Sequence, residues 1–334
     1  MIEFLERLAD DRPLVYDGGF GSELFARGIE LTNSALANQL HGDAVVDIHS
    51  SFIRAGADAI GTNTFVASEL HLKMAGVDSG EVNRLVRQAV AYARAAIERE
   101  EKEAYIAGSV GPSPGAIEAD AGGVDFGIPN DAVRAAHERV IWELADAGVD
   151  FLTVETMFSA NEAVLIVDIA RRTGLPIAVN LTGRYNRDRK TGGFTYRTDW
   201  GHGAAELLSV LGGENLLGIE DVLPYVQILG FNCGAESDRE DHCGMPYAIN
   251  GVRQFGEAME EAGVSGKRLM AYPNAGLPKL DKNQKTYYSQ TPEEMIAYVS
   301  DLLDAGAYFI GGCCGTGPDH IRGFRAAVDA RKGN

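Results

Sequence analysis

The chain has 334 residues, with 30 Lys+Arg against 48 Asp+Glu, a formal charge of -18, and 45% hydrophobic residues. That length gives ample interior for a core. The acidity excludes a nucleic acid as main partner, because phosphate binding needs clustered Lys and Arg. No apolar run approaches the roughly 18 to 20 residues of a membrane span, so no membrane partner is expected.

The amino terminus, MIEFLERLADDRP, places apolar residues at helical spacing among acids and has none of the marks of a signal peptide. A cytoplasmic location is expected. Four cysteines, two of them adjacent, are too few for a disulfide scaffold and point to reduced thiols with a chemical role.

Three segments are alike: 54–65 (RAGADAIGTNTF), 146–158 (DAGVDFLTVETMF) and 304–315 (DAGAYFIGGCCG). Each closes a helix on a glycine suited to the left-handed C-cap and opens a buried strand two residues later. Further strands are expected at 14–17, 105–108, 176–180, 226–232 and 268–272. Helical faces lie between most of them, as in Val45, Ile48 and Phe52, in Val82, Leu85, Val86 and Ala89, and in Val133, Ala136, Val140, Ile141 and Leu144. Ser159 with Glu162 and Thr291-Pro292-Glu293-Glu294 read as capping boxes at helix starts. Eight strands alternating with helices predict an α/β chain folded as a (β/α)8 TIM barrel, with a doubly wound sheet as the competing arrangement. No Pro- or Ser-rich linker divides it, so residues 1–334 are expected to form a single domain.

In such a barrel the functional groups sit at the carboxyl ends of the strands. The predicted tips read Asp17-Gly18-Gly19-Phe20, Thr62-Asn63-Thr64-Phe65, Ser109-Val110-Gly111-Pro112, Glu155-Thr156, Asn232-Cys233, Tyr272-Pro273-Asn274 and Gly311-Gly312-Cys313-Cys314-Gly315. Cys233 and the Cys313-Cys314 pair belong to the sixth and eighth strands, whose tips share a rim. Three thiols there would select Zn2+ and leave a fourth position for water or substrate. The plain alternative is that they fill apolar space, although adjacent residues of a regular strand cannot both face inward. Cys243, in the acidic loop 238–244, reads as a loop thiol without catalytic weight or as the fourth ligand of a structural site, and the neighbouring His242 as a solvated loop histidine or, less favoured, a further metal ligand. Asp17 and Glu155 suit an ammonium group better than an already thiolate-rich metal; for Asp17, capping the following helix is an equal alternative. Residues 183–200 form a basic, aromatic stretch in which Arg184, Arg187, Arg189, Lys190 and Arg197 outnumber Asp188 and Asp199. It reads as a long loop: a lid offering Tyr185, Phe194, Tyr196 or Trp200 to a cationic ligand, a contact for an anion or a second subunit, or a solvated excursion.

Taken in order, DGGFGSEL, GADAIGTNTF, GSVGPSPG, VET, GFNC, YPNAGLP and GGCCGTGPDHI resemble the homocysteine S-methyltransferase family across nearly the whole chain. YPNAGLP and GGCCGT are closer to the homocysteine module of cobalamin-dependent methionine synthase than to the betaine-using branch. The resemblance implies a barrel with Zn2+ on Cys233, Cys313 and Cys314, with Asp17, Gly18 and Glu155 binding the amino-acid portion of homocysteine and Asn63 nearby. It implies methyl transfer to the homocysteine thiol, giving methionine, from a small donor such as a sulfonium or quaternary ammonium, or from a methylated corrinoid on a partner protein. The aromatic stretch and the acidity lean towards a small cationic donor. The competing readings are a zinc-binding structural or regulatory barrel without catalysis, and a methyltransferase acting on another thiol.

Overall fold

A computed structural model describes residues 2–187, 189, 192–234, 239–282 and 286–331. Asp188 and Lys190 of the basic stretch and Asp238 of the acidic loop lie outside the described residues.

Eight parallel strands form one sheet: β1 (Leu14–Val15), β2 (Ala59–Gly61), β3 (Tyr105–Val110), β4 (Phe151–Met157), β5 (Ile177–Leu181), β8 (Val226–Cys233), β9 (Arg268–Pro273) and β12 (Ala307–Ile310). Their order, β1-β12-β9-β8-β5-β4-β3-β2, brings the first two strands to the two ends of the sheet. Two aspartate side chains and one backbone bond close the seam between them. Asp58 Oδ2 accepts the Val15 N–H at 2.8 Å, the Asp58 N–H donates to Val15 O at 2.7 Å, and Asp17 Oδ2 accepts the Gly61 N–H at 2.8 Å. The result is a nearly closed (β/α)8 barrel, and the doubly wound alternative is not adopted.

The expected strand starts hold to within one residue, each strand following a glycine in the left-handed region: Gly56 at φ +106°, Gly148 at +84° and Gly306 at +105°. Apolar helical faces such as Val45, Ile48 and Phe52 bury completely against the outside of the sheet. The barrel interior holds a second apolar cluster that includes Tyr16, Phe151, Met270, Tyr272 and Phe309. The helix Phe4–Ala9 plugs its lower end: Phe4 stacks on Phe151 with ring centroids 4.1 Å apart, and Arg268 Nε donates to Leu8 O at 2.8 Å.

Two expectations of local structure change. Thr291 and Glu294 form the full reciprocal cap. Ser159 forms only half of one, since Oγ accepts the Glu162 N–H at 3.1 Å while the Glu162 carboxylate turns to the Ser113 N–H and to His137. The stretch 183–200 is not a loop but carries an antiparallel hairpin, β6 (Arg184–Arg187) with β7 (Phe194–Arg197). A second hairpin, β10 (Pro278–Leu280) with β11 (Thr286–Tyr288), follows β9. Among the described residues no helix is long and apolar enough to cross a membrane.

Candidate active site

The loops at the carboxyl ends of the strands enclose a cavity of about 270 Å³, and Asp17, Gly18, Asn63, Glu155, Cys233, Cys313 and Cys314 all line it. A larger cavity, about 520 Å³, opens at the amino ends of the strands between Arg12, Lys267, Arg268, Tyr308 and Arg331, and contains none of these residues.

Cys233, Cys313 and Cys314 bring their sulfur atoms within 4.8 Å of one another. Four sulfurs around zinc at about 2.3 Å would lie roughly 3.8 Å apart, so the trio fits that ion without a large rearrangement. Local backbone makes this cluster. Cys233 ends β8 at φ +58°, a left-handed conformation that costs a non-glycine residue about 1–3 kcal/mol and turns its side chain off the alternation of the strand. The Cys313-Cys314 turn is pinned by the Cys313 N–H on Pro273 O (2.8 Å) and the Cys314 N–H on Asn274 Oδ1 (3.0 Å). Gly19 packs beneath it, where a methyl group would lie 2.4 Å from the Cys313 carbonyl oxygen. Hydrogen bonding to Cys233, burial and mutual repulsion push the Cys313 thiol well above its usual range and Cys314 up to about 12. Left to themselves the three sulfurs share protons; a cation among them would displace those protons, as the chemistry of a thiolate donor set requires. Among the described residues this is the one group of His, Cys, Asp and Glu so placed. Cys243 is apart from it: the thiol is buried, donates to Glu240 O at 3.4 Å, and is raised by burial to about 11. A four-cysteine site therefore does not form.

The carboxylates stand on the other walls. Asp17 is buried, and its carboxylate accepts the Gly61 N–H rather than capping the helix that follows. Burial, with Glu155 nearby, holds its pKa well above the ordinary range. Glu155 is raised to about 7, chiefly by burial, although Ser109 Oγ and the Tyr272 hydroxyl donate to it. Gly18 sits so close to Phe52 and Thr316 that a methyl would lie 2.8 Å from the Phe52 ring and 2.9 Å from Thr316 O. Asn63 lines the cavity but spends its amide hydrogens on Ser34 O (2.8 Å) and Asn38 Oδ1 (3.0 Å), fastening the β2 tip to the segment before the first long helix.

Sequence reasoning passed over three supporting residues. Ser109 and Tyr272 hold Glu155. Asn232 latches the β8 tip to the β4 tip: its Oδ1 accepts the Thr156 N–H at 2.8 Å and its Nδ2 donates to Thr156 Oγ1 at 2.7 Å. All three lie inside the tip motifs, but an uncharged polar residue at a strand end carries no mark of the partner across the barrel.

The basic hairpin does not offer its rings to the cavity. Tyr196 is fully buried and its hydroxyl meets His242 Nδ1 at 3.0 Å, while Tyr185 and Phe194 pack on the His242 ring at 4.1 and 4.5 Å between centroids. His242 is thus a buried packing residue rather than a solvated one, and none of Tyr185, Phe194, Tyr196 and Trp200 lines the cavity. Arg184 pairs with Asp199, and Arg197 at 2.5 Å with Glu206 on the helix that follows, so part of the stretch's positive charge is neutralised.

Residues 14–328 match the family model for homocysteine S-methyltransferase. The chain is 26% identical to homocysteine S-methyltransferase 4 of Zea mays over 94% of its own length and 89% of that protein's. It is 28% identical to homocysteine S-methyltransferase of Escherichia coli over 94% of both. Methionine synthase of Mycobacterium tuberculosis is 27% identical over 95% of this chain, which corresponds to 25% of that much longer protein. In fold, the chain superposes on the metallated homocysteine methyltransferase MmuM of Escherichia coli with a TM-score of 0.69 at 22% identity, covering 96% of this chain and 98% of that one. Matched from its first barrel strand to its last helix, the chain belongs to the homocysteine S-methyltransferase family and is a methyltransferase of that class.

Proposed function

We propose that the protein transfers a methyl group from an activated donor to the thiol of homocysteine, giving methionine, with Zn2+ held by Cys233, Cys313 and Cys314. The observation that carries this reading is one cavity lined both by three converging sulfurs and by two carboxyls, the buried Asp17 and the part-buried Glu155. That pairing suits a ligand with a thiol at one end and an ammonium at the other. When bound, the zinc ion supplies the Lewis acidity that makes a thiol with a reference pKa of about 8.5 nucleophilic at neutral pH.

The chain's own residues do the positioning. Asp17 and Glu155 accept the ammonium, which draws Glu155 into its charged form. The Gly18 N–H receives the substrate carboxylate, because the Gly19 N–H is already donated to Thr316 O and Oγ1 at 2.9 and 3.1 Å. Asn63 contributes through its carbonyl oxygen, its amide hydrogens being committed. Ser109 and Tyr272 fix the Glu155 carboxylate so that ammonium and sulfur are held a set distance apart, and the gain comes from orientation. The donor carries its methyl on a good leaving group: a sulfonium, a quaternary ammonium, or a methylated corrinoid on a partner protein. The acidic cavity favours a small cation over the others, an argument that now rests on charge alone. Reduced, metal-competent thiols suit a cytoplasmic setting.

A panel of such donors, with homocysteine and with or without a corrinoid protein, tests the reading. Methionine should form with one donor class in the zinc-loaded protein. Turnover of a different thiol with no methionine from any donor would overturn it.

A further inference from the structure

Two tyrosines stand where the cavity meets the barrel interior. Tyr16, the residue before Asp17, and Tyr272 meet edge to face with ring centroids 5.4 Å apart, and both line the cavity. The Tyr272 hydroxyl is engaged by Thr153 Oγ1 at 3.4 Å. Tyr16 is only 3% exposed, yet among the described residues its hydroxyl has no hydrogen-bond partner. A buried hydroxyl in that state is unfavourable, and marks a place where a ligand completes the bonding. Its oxygen is located by the neighbouring strand. A methyl built on Gly61 would lie 2.5 Å from the phenol oxygen and 3.9 Å from Asp17 Oδ1, so the two oxygens flank one point of the cavity lining. Gly61 has no positive φ that would call for glycine; the phenol oxygen is what excludes a side chain there.

An ammonium group carries three N–H donors. The methyl-transfer reading above gives it two carboxylates, Asp17 and Glu155, and leaves one donor unmatched. We propose that Tyr16 is a further substrate-binding residue, whose hydroxyl oxygen accepts the third N–H of the homocysteine ammonium. A hydroxyl suits this place better than a third acid would. It accepts from the N–H and turns its own proton to a carboxylate oxygen, so it adds no charge to repel the pair. This inference rests on the methyl-transfer reading and deepens it, since it concerns how the amine end is recognised whichever donor supplies the methyl.

The test uses zinc-loaded full-length protein and Tyr16→Phe, which removes the oxygen and keeps the ring against Tyr272. Two ligands are titrated by calorimetry without a methyl donor: homocysteine, and its des-amino analogue, which keeps the thiol and the carboxylate and lacks the ammonium. Tyr16→Phe should weaken homocysteine about tenfold, the scale of one hydrogen bond to a charged group, and leave the Kd of the analogue and the zinc content at their wild-type values. With a donor present, KM for homocysteine should rise by the same factor with kcat little changed. Gly61→Ala is the second variant. Its methyl displaces the phenol oxygen in the wild-type background and should weaken homocysteine likewise; in the Tyr16→Phe background the nearest ring carbon is 3.4 Å from that methyl, and little further loss should follow. Unchanged homocysteine affinity in Tyr16→Phe, with zinc retained, would overturn the proposal. So would an equal loss for both ligands, which would mean that the cavity has changed shape, and so would fully additive losses for the two substitutions. Homocysteine binding and methionine formation by the wild type are scored first: their absence strikes the parent reading and this assignment with it, whereas wild-type turnover with any of the three overturning results strikes this assignment alone.

Discussion

Asn232 holds Thr156 by both ends of its amide, at 2.8 and 2.7 Å, across the intervening strand β5. Thr156 follows Glu155, and Asn232 precedes Cys233. Thr156 and Cys233 carry left-handed backbones at φ +59° and +58°. One side-chain amide therefore ties the strand end that presents a carboxylate to the strand end that presents a metal ligand, and stabilises two unfavourable conformations that no local sequence preference supports. Asn232→Ala would leave the buried Thr156 N–H without its acceptor, a loss of about 1–3 kcal/mol. Thermal unfolding should register that loss, and kcat/KM should fall more than stability alone explains because both walls of the cavity move.

Cys233→Ser replaces a soft thiolate with a hydroxyl that stays protonated. Zinc stoichiometry and methyl transfer should be lost together, while the far-ultraviolet circular dichroism of the barrel is retained. A serine variant that kept a full equivalent of zinc and full turnover would remove Cys233 from the site.

Gly19→Ala puts a methyl 2.4 Å from the Cys313 carbonyl oxygen, a backbone atom that cannot swing away as a side chain would. The cysteine turn must shift. Zinc affinity should drop about tenfold or more, the scale seen when groups supporting a ligand are disturbed, with little change in melting temperature of the metal-free protein. Competition with a chromophoric chelator measures it.

Glu155 gives the site a pH signature. Its carboxyl titrates near 7 in the folded chain against an ordinary value of 4.5, so the native state holds a proton that the unfolded state releases. Metal-free stability from this group is complete below about pH 4.5 and declines as pH rises towards 7, by at most about 3 kcal/mol, less where cavity water reaches the partly exposed carboxyl. Glu155→Gln should flatten that stretch of the stability profile. Substrate binding should run the opposite way, strengthening as pH rises through 7 and the carboxylate forms to meet the ammonium. A wild-type profile no steeper than that of the glutamine variant would contradict both halves.

The repeated joints made the barrel legible in the sequence: helix, glycine, then a buried strand is a local pattern, and each of its glycines lies in the left-handed region that the pattern demands. Reading the residue after each strand then found the cavity walls, because chain direction alone sends every strand tip to the same end of a barrel. The hairpins were not legible. Arg184–Arg187 is mostly exposed and lacks the alternation that marks a strand, and its partner strand carries an inward-facing Tyr196 whose destination, His242, lies 46 residues on. Asp17 was ambiguous for a related reason. An Asp before a helix looks like a cap, and only the closing of the sheet shows that it faces β2.

That last contact has a further consequence. The carboxylate of Asp17 completes the seam of the cylinder at the very point where the cavity opens, so anything that draws it inward tugs on the one junction lacking a regular ladder. Occupancy of the cavity and tightness of the cylinder are thereby mechanically joined, and a relative that changed its ligand by altering this aspartate would have to fasten its first two strands together some other way.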